Sequence, residues 1–471
     1  MNTPEAFKLI VKVESMVDTD SFTFNGLNTW PILRKILWTK LTSSYNKNKI
    51  QKRNYLIDTY IFIKRFISLI YCLFKKTKYK EDTEKIFFSR PVYLQQLHSK
   101  KYFDRIVDPI IESSKKNYKF TKYYFQQISK GKQLVYNYFT LHHSTQLRLI
   151  KISSQQKELI NTISLLTKID SLELNQCYKS ELKSFMGWYI SIKQLLKRHK
   201  KLKEIYITCW YSTETMAVSA AASELGIKTI DIQHGKQGKY QGMYSGWTKI
   251  PKNGYSLMPD SFWCWGQRSC DHILASSPNR KKHIPFIGGY PWIDYYKKNM
   301  LPLDSKTTDN KTRVLLTMQP PQAGNVERIP DFIIDFLLSG TKEDVHFTFR
   351  LHPNDNDAND SDGYHYCKER LKLIKPSLYS IDRGIQNLYD IFRVVTHHIT
   401  AYSSCCYEAS LFNIPTLLYG DESKEIYQED IENKAFTWID STKDNLESWL
   451  AYDHNMNSKI SDLYIMNPDK E

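Results

Sequence analysis

The sequence lacks the cysteine patterns that mark zinc sites and redox centres. Its 471 residues contain eight cysteines, but none forms a C-x-x-C pair or has a histidine at zinc-ligand spacing. The opening stretch MNTPEAFKLIVKVE also lacks the basic region, apolar core and cleavage site of a secretory signal. We therefore expect reduced thiols, no bound metal and a cytoplasmic location.

Long uncharged apolar runs are absent as well. The most apolar stretch, residues 55–74, contains Asp58, Lys64 and Arg65, whereas a membrane-spanning helix needs roughly 20 predominantly apolar residues. Residues 45–80 hold ten Lys or Arg against one acid, so this segment carries +9 of the net charge of +16. Two interpretations stay open: the segment packs on the amino-terminal domain, or it lies on the anionic inner face of the cytoplasmic membrane.

Glycine and proline are too scarce, at 17 each, for a fibrous or low-complexity protein. A chain of this length exceeds one ordinary core, so we expect two large domains. The net charge of +16 favours an anionic partner, such as nucleic acid, anionic lipid, an acidic polysaccharide or the phosphates of a nucleotide sugar. A basic nucleic-acid-binding protein is the non-enzyme alternative, but no helix-turn-helix, zinc-finger or aromatic RNA-binding motif supports it.

Short apolar runs alternate with helical periodicity along two parts of the chain. The first series is clearest at residues 205–289 and the second at 314–420, with a polar, turn-rich linker at 296–313. Strand–helix alternation with short connections predicts two Rossmann-like domains of the α/β class, each with a doubly wound parallel sheet, facing a central cleft. The predicted boundaries are an N-terminal helical appendage at 1–84, an acceptor-side domain at 85–300, a donor-binding domain at 301–450 and a tail at 451–471.

Polar residues of the second series follow its strands. In parallel sheets, ligands bind beyond the carboxyl ends of the strands, where helix amino termini offer unpaired N–H groups. Arg350 and His352 follow one predicted strand, and arginine has the planar fork that suits phosphate oxygens. Ser403 and Ser404 follow another, at a position that suits helix capping or phosphate binding. The sequence therefore predicts a donor-binding site composed of Arg350, His352, Pro353, Ser403, Ser404 and, in the following helix, Glu408.

Three candidates for a general base follow strands of the first series, namely Glu214, Asp231 and His234. Glycosyl transfer with inversion requires a group that accepts the proton of the acceptor hydroxyl. Asp231 lies within a predicted strand, where a buried structural carboxylate is the alternative role. Glu214 also suits the first turn of a helix, where the helix dipole favours an acid. His234 has the most loop-like position, and all three stay open as candidates.

Four motifs occur in an order that resembles bacterial GT-B glycosyltransferases of capsule, O-antigen and teichoic acid synthesis. They are Gln233-His234-Gly235, Gly289-Tyr290-Pro291 with Asp294, Arg350-x-His352-Pro353, and Tyr402-Ser403-Ser404 with Glu408. The chain is most similar to the β-Kdo and sialic-acid-type transferases that use CMP-activated sugars. Polyol-phosphate polymerases usually have a tryptophan before His-Gly and an aspartate before Tyr-Ser-Ser, where this chain has Gln233 and Ala401.

The resemblance implies an inverting glycosyltransferase that moves Kdo or a related acidic sugar from a CMP donor to a lipid-linked or oligosaccharide acceptor. It implies that His352, Ser403 and Ser404 bind the donor phosphate, with Arg350 as a helper and Glu408 as a nucleotide contact. It also implies that no metal or other cofactor is needed, because positive side chains and helix dipoles stabilise the leaving phosphate. The enzyme alternatives are a CDP-dependent glycerol- or ribitol-phosphate transferase and a UDP-sugar-dependent transferase or epimerase.

Overall fold

The computed structural model describes most of the chain. The described residues are 1–42, 82–97, 101–114, 116–126, 128, 132–136, 139–141, 150–300, 311–320, 326–340, 344–352, 355, 362–384, 386–440, 442–452 and 465. The basic segment at 45–80 and the predicted site residue Pro353 lie outside them, and so do most of the linker and the tail. Among the described helices, none is both long and apolar enough to cross a bilayer.

The amino-terminal residues form two helices joined by a short hairpin: α1 (Thr3–Met16), β1 (Thr23–Phe24), β2 (Leu27–Asn28) and α2 (Trp30–Thr42). A capping box starts α1, in which the Glu5 amide donates to Asn2 Oδ1 over 2.8 Å and the Asn2 amide donates to the Glu5 carboxylate over 3.2 Å. Each bond satisfies a backbone N–H that has no partner within the helix.

A parallel sheet of seven strands follows, in the spatial order β11-β10-β9-β8-β3-β6-β7. Its strands are β3 (Lys85–Ser89), β6 (Phe120–Tyr124), β7 (Phe139–Thr140), β8 (Glu204–Thr208), β9 (Lys228–Ile232), β10 (Ser261–Cys264) and β11 (Ile284–Ile287). A separate antiparallel ribbon consists of β4 (Leu94–Gln96) and β5 (Tyr102–Asp104). The helices of this part are α3 (Asp108–Ser114), α4 (Ser154–Thr167), α5 (Ser171–Leu196), α6 (Thr213–Glu224), α7 (Gln267–Leu274) and α8 (Pro291–Asn299).

The first two helices belong to the core of this first sheet, so the prediction of an appendage is wrong for residues 1–42. Glu14 and Arg34 form an ion pair of 2.9 Å with no exposed side-chain surface. Arg34 also donates to the backbone oxygens of Gly242 and Ser245, each over 2.9 Å. The apolar faces of α1 and α2 share one hydrophobic cluster with the first sheet and α6. The sequence missed this because the backbone groups that bind Arg34, at Gly242 and Ser245, lie more than 200 positions away along the chain.

A second parallel sheet has six strands in the order β14-β13-β12-β15-β16-β17. The strands are β12 (Thr312–Thr317), β13 (Val345–Arg350), β14 (Tyr379–Asp382), β15 (His397–Thr400), β16 (Thr416–Leu418) and β17 (Thr437–Trp438). Its helices are α9 (Asp331–Leu338), α10 (Asp362–Arg370), α11 (Leu388–Phe392), α12 (Cys405–Ser410), α13 (Asp421–Ile426), α14 (Gln428–Glu432) and α15 (Lys443–Ala451). Short 3-10 turns occur at Thr19–Ser21, Pro91–Tyr93 and Pro376–Leu378.

Two separate parallel sheets, each flanked by helices, form the predicted GT-B architecture, and the fold class is confirmed. Aromatic side chains join the two halves, since Tyr296 of α8 and Tyr389 of α11 pack edge to face with ring centroids 5.0 Å apart. Lys236 also reaches across, with Nζ 3.3 Å from the centre of the Tyr427 ring. These contacts place the carboxyl ends of the two sets of strands on either side of a shared cleft.

The buried pair in the first core yields a stability prediction. Arg34→Met removes the cation but leaves the Glu14 carboxylate buried, so we expect the free energy of unfolding to fall by about 3–5 kcal/mol. Guanidinium denaturation followed by circular dichroism measures this loss. The control is Lys8→Met, which breaks the exposed 2.7 Å pair of Lys8 with Glu425 and should leave the free energy of unfolding nearly unchanged, because water already screens that pair. Equal losses for the two variants would contradict the prediction.

Candidate functional site

A cavity of about 520 Å³ lies between the two sheets. Four of its lining residues are cations, namely Arg105 and Lys132 from the first half and Arg350 and Arg383 from the second. None of the described residues that line it is a carboxylate. A concave site of this size with an excess of positive charge suits a small anionic ligand.

Arg350 and His352 lie at the carboxyl end of β13, as predicted, and both line the cavity. Arg350 forms an ion pair with Asp382, and its Nη2 donates to the backbone oxygen of Gln386 over 3.0 Å. Two partners fix the guanidinium plane, and Asp382 offsets part of its charge.

His352 contributes hydrogen-bonding capacity rather than charge. Burial, followed by the nearby cations Arg328 and Arg105, lowers the pKa of His352 to about 4. The imidazole is therefore neutral near pH 7. The structure therefore favours hydrogen bonding over charge neutralisation as the contribution of His352.

The serine pair after β15 is divided between two environments. Ser403 lines the cavity, whereas Ser404 is not among the lining residues. Gln319 holds this turn, because its amide oxygen accepts hydrogen bonds from the Tyr402 and Ser403 amides over 3.2 and 3.1 Å. Tyr427 adds a bond of 3.1 Å from its hydroxyl to the Ser403 backbone oxygen. The structure thus places one serine of the predicted pair on the cavity wall, and the hydroxyl oxygen of this Ser403 also accepts a hydrogen bond of 3.3 Å from the Cys405 amide.

Glu408 is not brought to the cavity wall. Its side chain is buried, with the residue only 3% exposed, and it accepts a hydrogen bond of 2.7 Å from the Tyr389 hydroxyl. Burial raises the pKa of Glu408, while Arg105 and the Tyr389 hydroxyl act in the opposite direction. Glu408 does not line the cavity, which contradicts the predicted direct contact with the nucleotide. It reaches the cavity only through its hydrogen bond with Tyr389, which does line it.

Asp231 is a structural carboxylate in the first sheet. It is fully buried, and its two oxygens accept hydrogen bonds from the Trp210 amide over 3.0 Å and the Tyr244 hydroxyl over 2.9 Å. Burial raises the pKa of Asp231 well above its ordinary value. This placement contradicts a role as the base for an acceptor hydroxyl and supports the structural alternative that the sequence left open.

Glu214 and His234 both lie near the carboxyl edge of the first sheet. Glu214, in the first turn of α6, forms an ion pair of 3.2 Å with Arg90, which follows β3. His234 follows β9 and packs beside Tyr93 and Tyr211, with ring centroids at 5.8 and 6.4 Å. Within the described part of the chain its buried Nδ1 has no hydrogen-bond partner, and an interaction of the ring with the Ile232 backbone acts to raise its pKa. Burial, followed by Arg90 and Arg105, lowers the pKa of His234 to about 4, so the ring is neutral near pH 7.

The sequence missed three of the four cations in the cavity. Arg383 had a recognisable signal, because it follows the short strand β14 and precedes Gly384, whose φ of +74° favours glycine. Arg105 follows the three-residue strand β5, which is too short to show periodicity. Lys132 lies in a stretch without any motif. Arg105 and Lys132 were therefore not predictable from local pattern.

No family model and no curated protein matches this sequence. Solved structures that resemble it include MnaA of S. aureus with UDP, at 12% identity and a TM-score of 0.49, covering 82% of this chain and 92% of that one. Another is UDP-GlcNAc 2-epimerase of Methanocaldococcus jannaschii with UDP-GlcNAc and UDP, at 14% identity and a TM-score of 0.44. The match covers 80% of this chain and 94% of the epimerase. A third is the wall teichoic acid polymerase TagF, at 12% identity and a TM-score of 0.40. The match covers 87% of this chain and 90% of TagF. The fold assignment rests on the strand order of the two sheets.

The environment of Asp231 predicts how its variants behave. Asp231→Asn should change the free energy of unfolding by less than about 1 kcal/mol and preserve turnover, because the amide oxygen still accepts from the Trp210 amide and the amide nitrogen can donate to the Tyr244 hydroxyl. Asp231→Ala should cost about 1–3 kcal/mol, because it leaves the buried Trp210 amide without an acceptor. Urea denaturation and an activity assay on both variants test this. Loss of turnover in a stably folded Asp231→Asn variant would restore Asp231 as a candidate base.

Proposed function

We propose that this protein is a glycosyltransferase that takes its sugar from a nucleotide donor. The cavity between the two sheets carries the proposal, since it gathers four cations with Ser403 and His352 and has no described carboxylate on its wall. Phosphate groups are the anions that such a set of arginine, lysine and hydroxyl donors suits. Three of the six residues that the sequence predicted for donor binding, Arg350, His352 and Ser403, line this cavity.

The donor that we propose is a CMP-linked acidic sugar such as Kdo. The motif order at His234, Gly289, His352 and Ser403 supports this choice through its resemblance to CMP-sugar transferases. The charge of the cavity is compatible with it, because such a donor carries a phosphate and a sugar carboxylate. A UDP-sugar, with two phosphates, satisfies the same requirement for charge and is the alternative donor.

The proposed reaction is a single inverting displacement. The acceptor hydroxyl, on a lipid-linked or oligosaccharide glycan of a bacterial surface polysaccharide, attacks the anomeric carbon as a base removes its proton. The bond from that carbon to the phosphate oxygen breaks, and the nucleotide leaves with the electron pair. Arg350, Ser403 and His352 stabilise the leaving phosphate by charge and hydrogen bonds, so this proposal assigns no step to a metal.

His234 is the base that we propose. It is a neutral imidazole, its Nδ1 is unpartnered, and it packs on Tyr93, next to the cavity-lining residue Val92. Asp231 has both oxygens occupied, and Glu214 already forms an ion pair with Arg90. Of the three candidates from the sequence, His234 is the one that has a ring nitrogen, Nδ1, without a hydrogen-bond partner among the described residues.

A donor panel tests the proposed class. The purified protein is incubated with CMP-Kdo, CMP-sialic acid, UDP-GlcNAc or CDP-glycerol, with an oligosaccharide acceptor and with EDTA, and nucleotide release is measured. We expect CMP release that depends on the acceptor. Release of UDP or CMP from other donors would reassign the donor, and conversion of UDP-GlcNAc to its 2-epimer without acceptor would replace transfer by epimerisation.

Donor binding should depend on the two predicted side chains that reach the cavity. Ser403→Ala and His352→Ala should each weaken nucleotide binding roughly 10-fold, because each removes a hydrogen bond to a charged group. Isothermal titration calorimetry with CMP and UDP measures the dissociation constants. Ser410→Ala is the matched control, since Ser410 lies at the far end of α12 and bonds to the Tyr407 backbone oxygen over 2.7 Å. Unchanged affinity in both site variants would refute the donor site.

Catalysis should depend on His234 in a different way. His234→Gln should lower kcat by roughly 100-fold or more and leave donor affinity unchanged, because a base acts on the acceptor rather than on the nucleotide. With a pKa of about 4, the neutral form is lost only as pH falls through about 4, so His234 should impose no fall in rate near pH 6.5. Steady-state kinetics across pH test this. A larger loss of kcat in Glu214→Gln would transfer the role to Glu214.

A further inference from the structure

Arg105 reaches the cavity from the opposite side to the predicted donor residues. It follows β5 in the first half of the chain, whereas Arg350, His352 and Ser403 all come from the second half. A ligand held by both sets would therefore contact both halves at once.

The guanidinium of Arg105 has no anion of its own. Its Nε is buried and lacks a hydrogen-bond partner, and within the described residues no carboxylate forms an ion pair with it. Glu408 is the carboxylate whose charge acts on Arg105, but Glu408 accepts its hydrogen bond from the Tyr389 hydroxyl instead. An unsatisfied buried donor is energetically costly, so its presence at a cavity indicates a bound partner in the working state.

The backbone of Arg105 is held rigidly. Its amide donates to the Tyr93 backbone oxygen over 3.1 Å. The preceding residue, Asp104, is buried and accepts from the Ile106 amide over 3.1 Å and the Tyr124 hydroxyl over 2.8 Å. Positioning of this kind reduces the entropy that is lost when a side chain binds its ligand.

A buried ion pair supports the same turn. Asp108 and Lys122 have no exposed side-chain surface and lie 2.6 Å apart, and Asp108 also accepts from the Asp104 amide over 2.8 Å. Buried pairs contribute little net stability, so their value in this place is the fixed geometry of the turn.

The charge of Arg105 reaches predicted site residues on both sides of the cleft. Burial is the main cause that lowers the pKa values of His352 and His234, and Arg105 lowers both further. Burial by itself would lower the pKa of Arg105. The electrostatic effects of Tyr290 and Glu408 raise that pKa by more, so it lies above its ordinary value. Arg105 is thus a permanent cation beside both histidines.

We propose that Arg105 is a specificity-determining residue that binds a second anionic group of the donor, in addition to the phosphate attached to the nucleoside. This inference rests on the proposed function. The shared chemistry is an anionic oxygen group, which is either the β-phosphate of a nucleoside diphosphate or the carboxylate of an acidic sugar on a nucleoside monophosphate.

Calorimetry with CMP, CDP, UDP and CMP-sialic acid on the wild type, Arg105→Gln and Arg105→Lys tests the proposal. Arg105→Gln should weaken binding of ligands with a second anion by roughly 10- to 100-fold and change CMP affinity by less than about threefold. Arg105→Lys keeps the charge and should recover part of the loss. A selective loss for CDP and UDP identifies the β-phosphate, and a selective loss for CMP-sialic acid identifies the carboxylate.

Arg198→Gln is the matched control, because Arg198 is exposed just beyond the end of α5. Thermal melting of each variant establishes that it is folded. If Arg105→Gln weakens CMP binding as much as binding of the other ligands, or weakens none of them, Arg105 does not have this role. Either result leaves the proposed donor site itself unaffected. If none of the four ligands binds the wild type, the proposed function itself fails.

Discussion

Parallel pairing within each sheet is the constraint on which the site depends. Every strand of a parallel sheet ends at the same edge, so the residues that follow the strands are gathered there whatever their distance in sequence. His234 follows β9 in the first sheet, while Arg350 ends β13 and Ser403 follows β15 in the second. Because the two carboxyl edges face one cleft, Pro91 and Val92, which follow β3, line the same cavity as Arg350 and Ser403.

Buried polar pairs hold the loops at these edges in place. Glu14 with Arg34 anchors the amino-terminal helices to the loop at Gly242, and Asp108 with Lys122 supports the turn that carries Arg105. Desolvation offsets most of the attraction within such pairs, so apolar side chains would give similar stability. An apolar pair, however, would not specify which backbone groups meet. The first domain uses charge to define geometry, and its aromatic and aliphatic clusters supply the stability.

Sequence reasoning succeeded where hydrophobic pattern and strand-end position coincide. The segment before Arg350, VHFTF, has the period-two alternation of a strand, and the segment before Ser403, VVTHHITA, is rich in β-branched residues, so both strands and their ends were predictable. It failed for β6, because Lys122 interrupts an otherwise aromatic run and only its pairing with the distant Asp108 allows burial. It also misjudged Glu408, since the pattern around a helix that is buried on most sides does not reveal whether a carboxylate faces a ligand or a tyrosine.

The arrangement of cations explains why the two halves form one site rather than two. Arg105 projects from the first half, and Arg350 and Arg383 from the second, so like charges face one another across the cleft. Contacts such as Lys236 on Tyr427 hold the halves together against this repulsion. An anionic donor reverses the sign of the interaction, because each half then faces the opposite charge. For the proposed anionic donor, binding and the approach of the cations from the two halves are therefore linked through the same free energy.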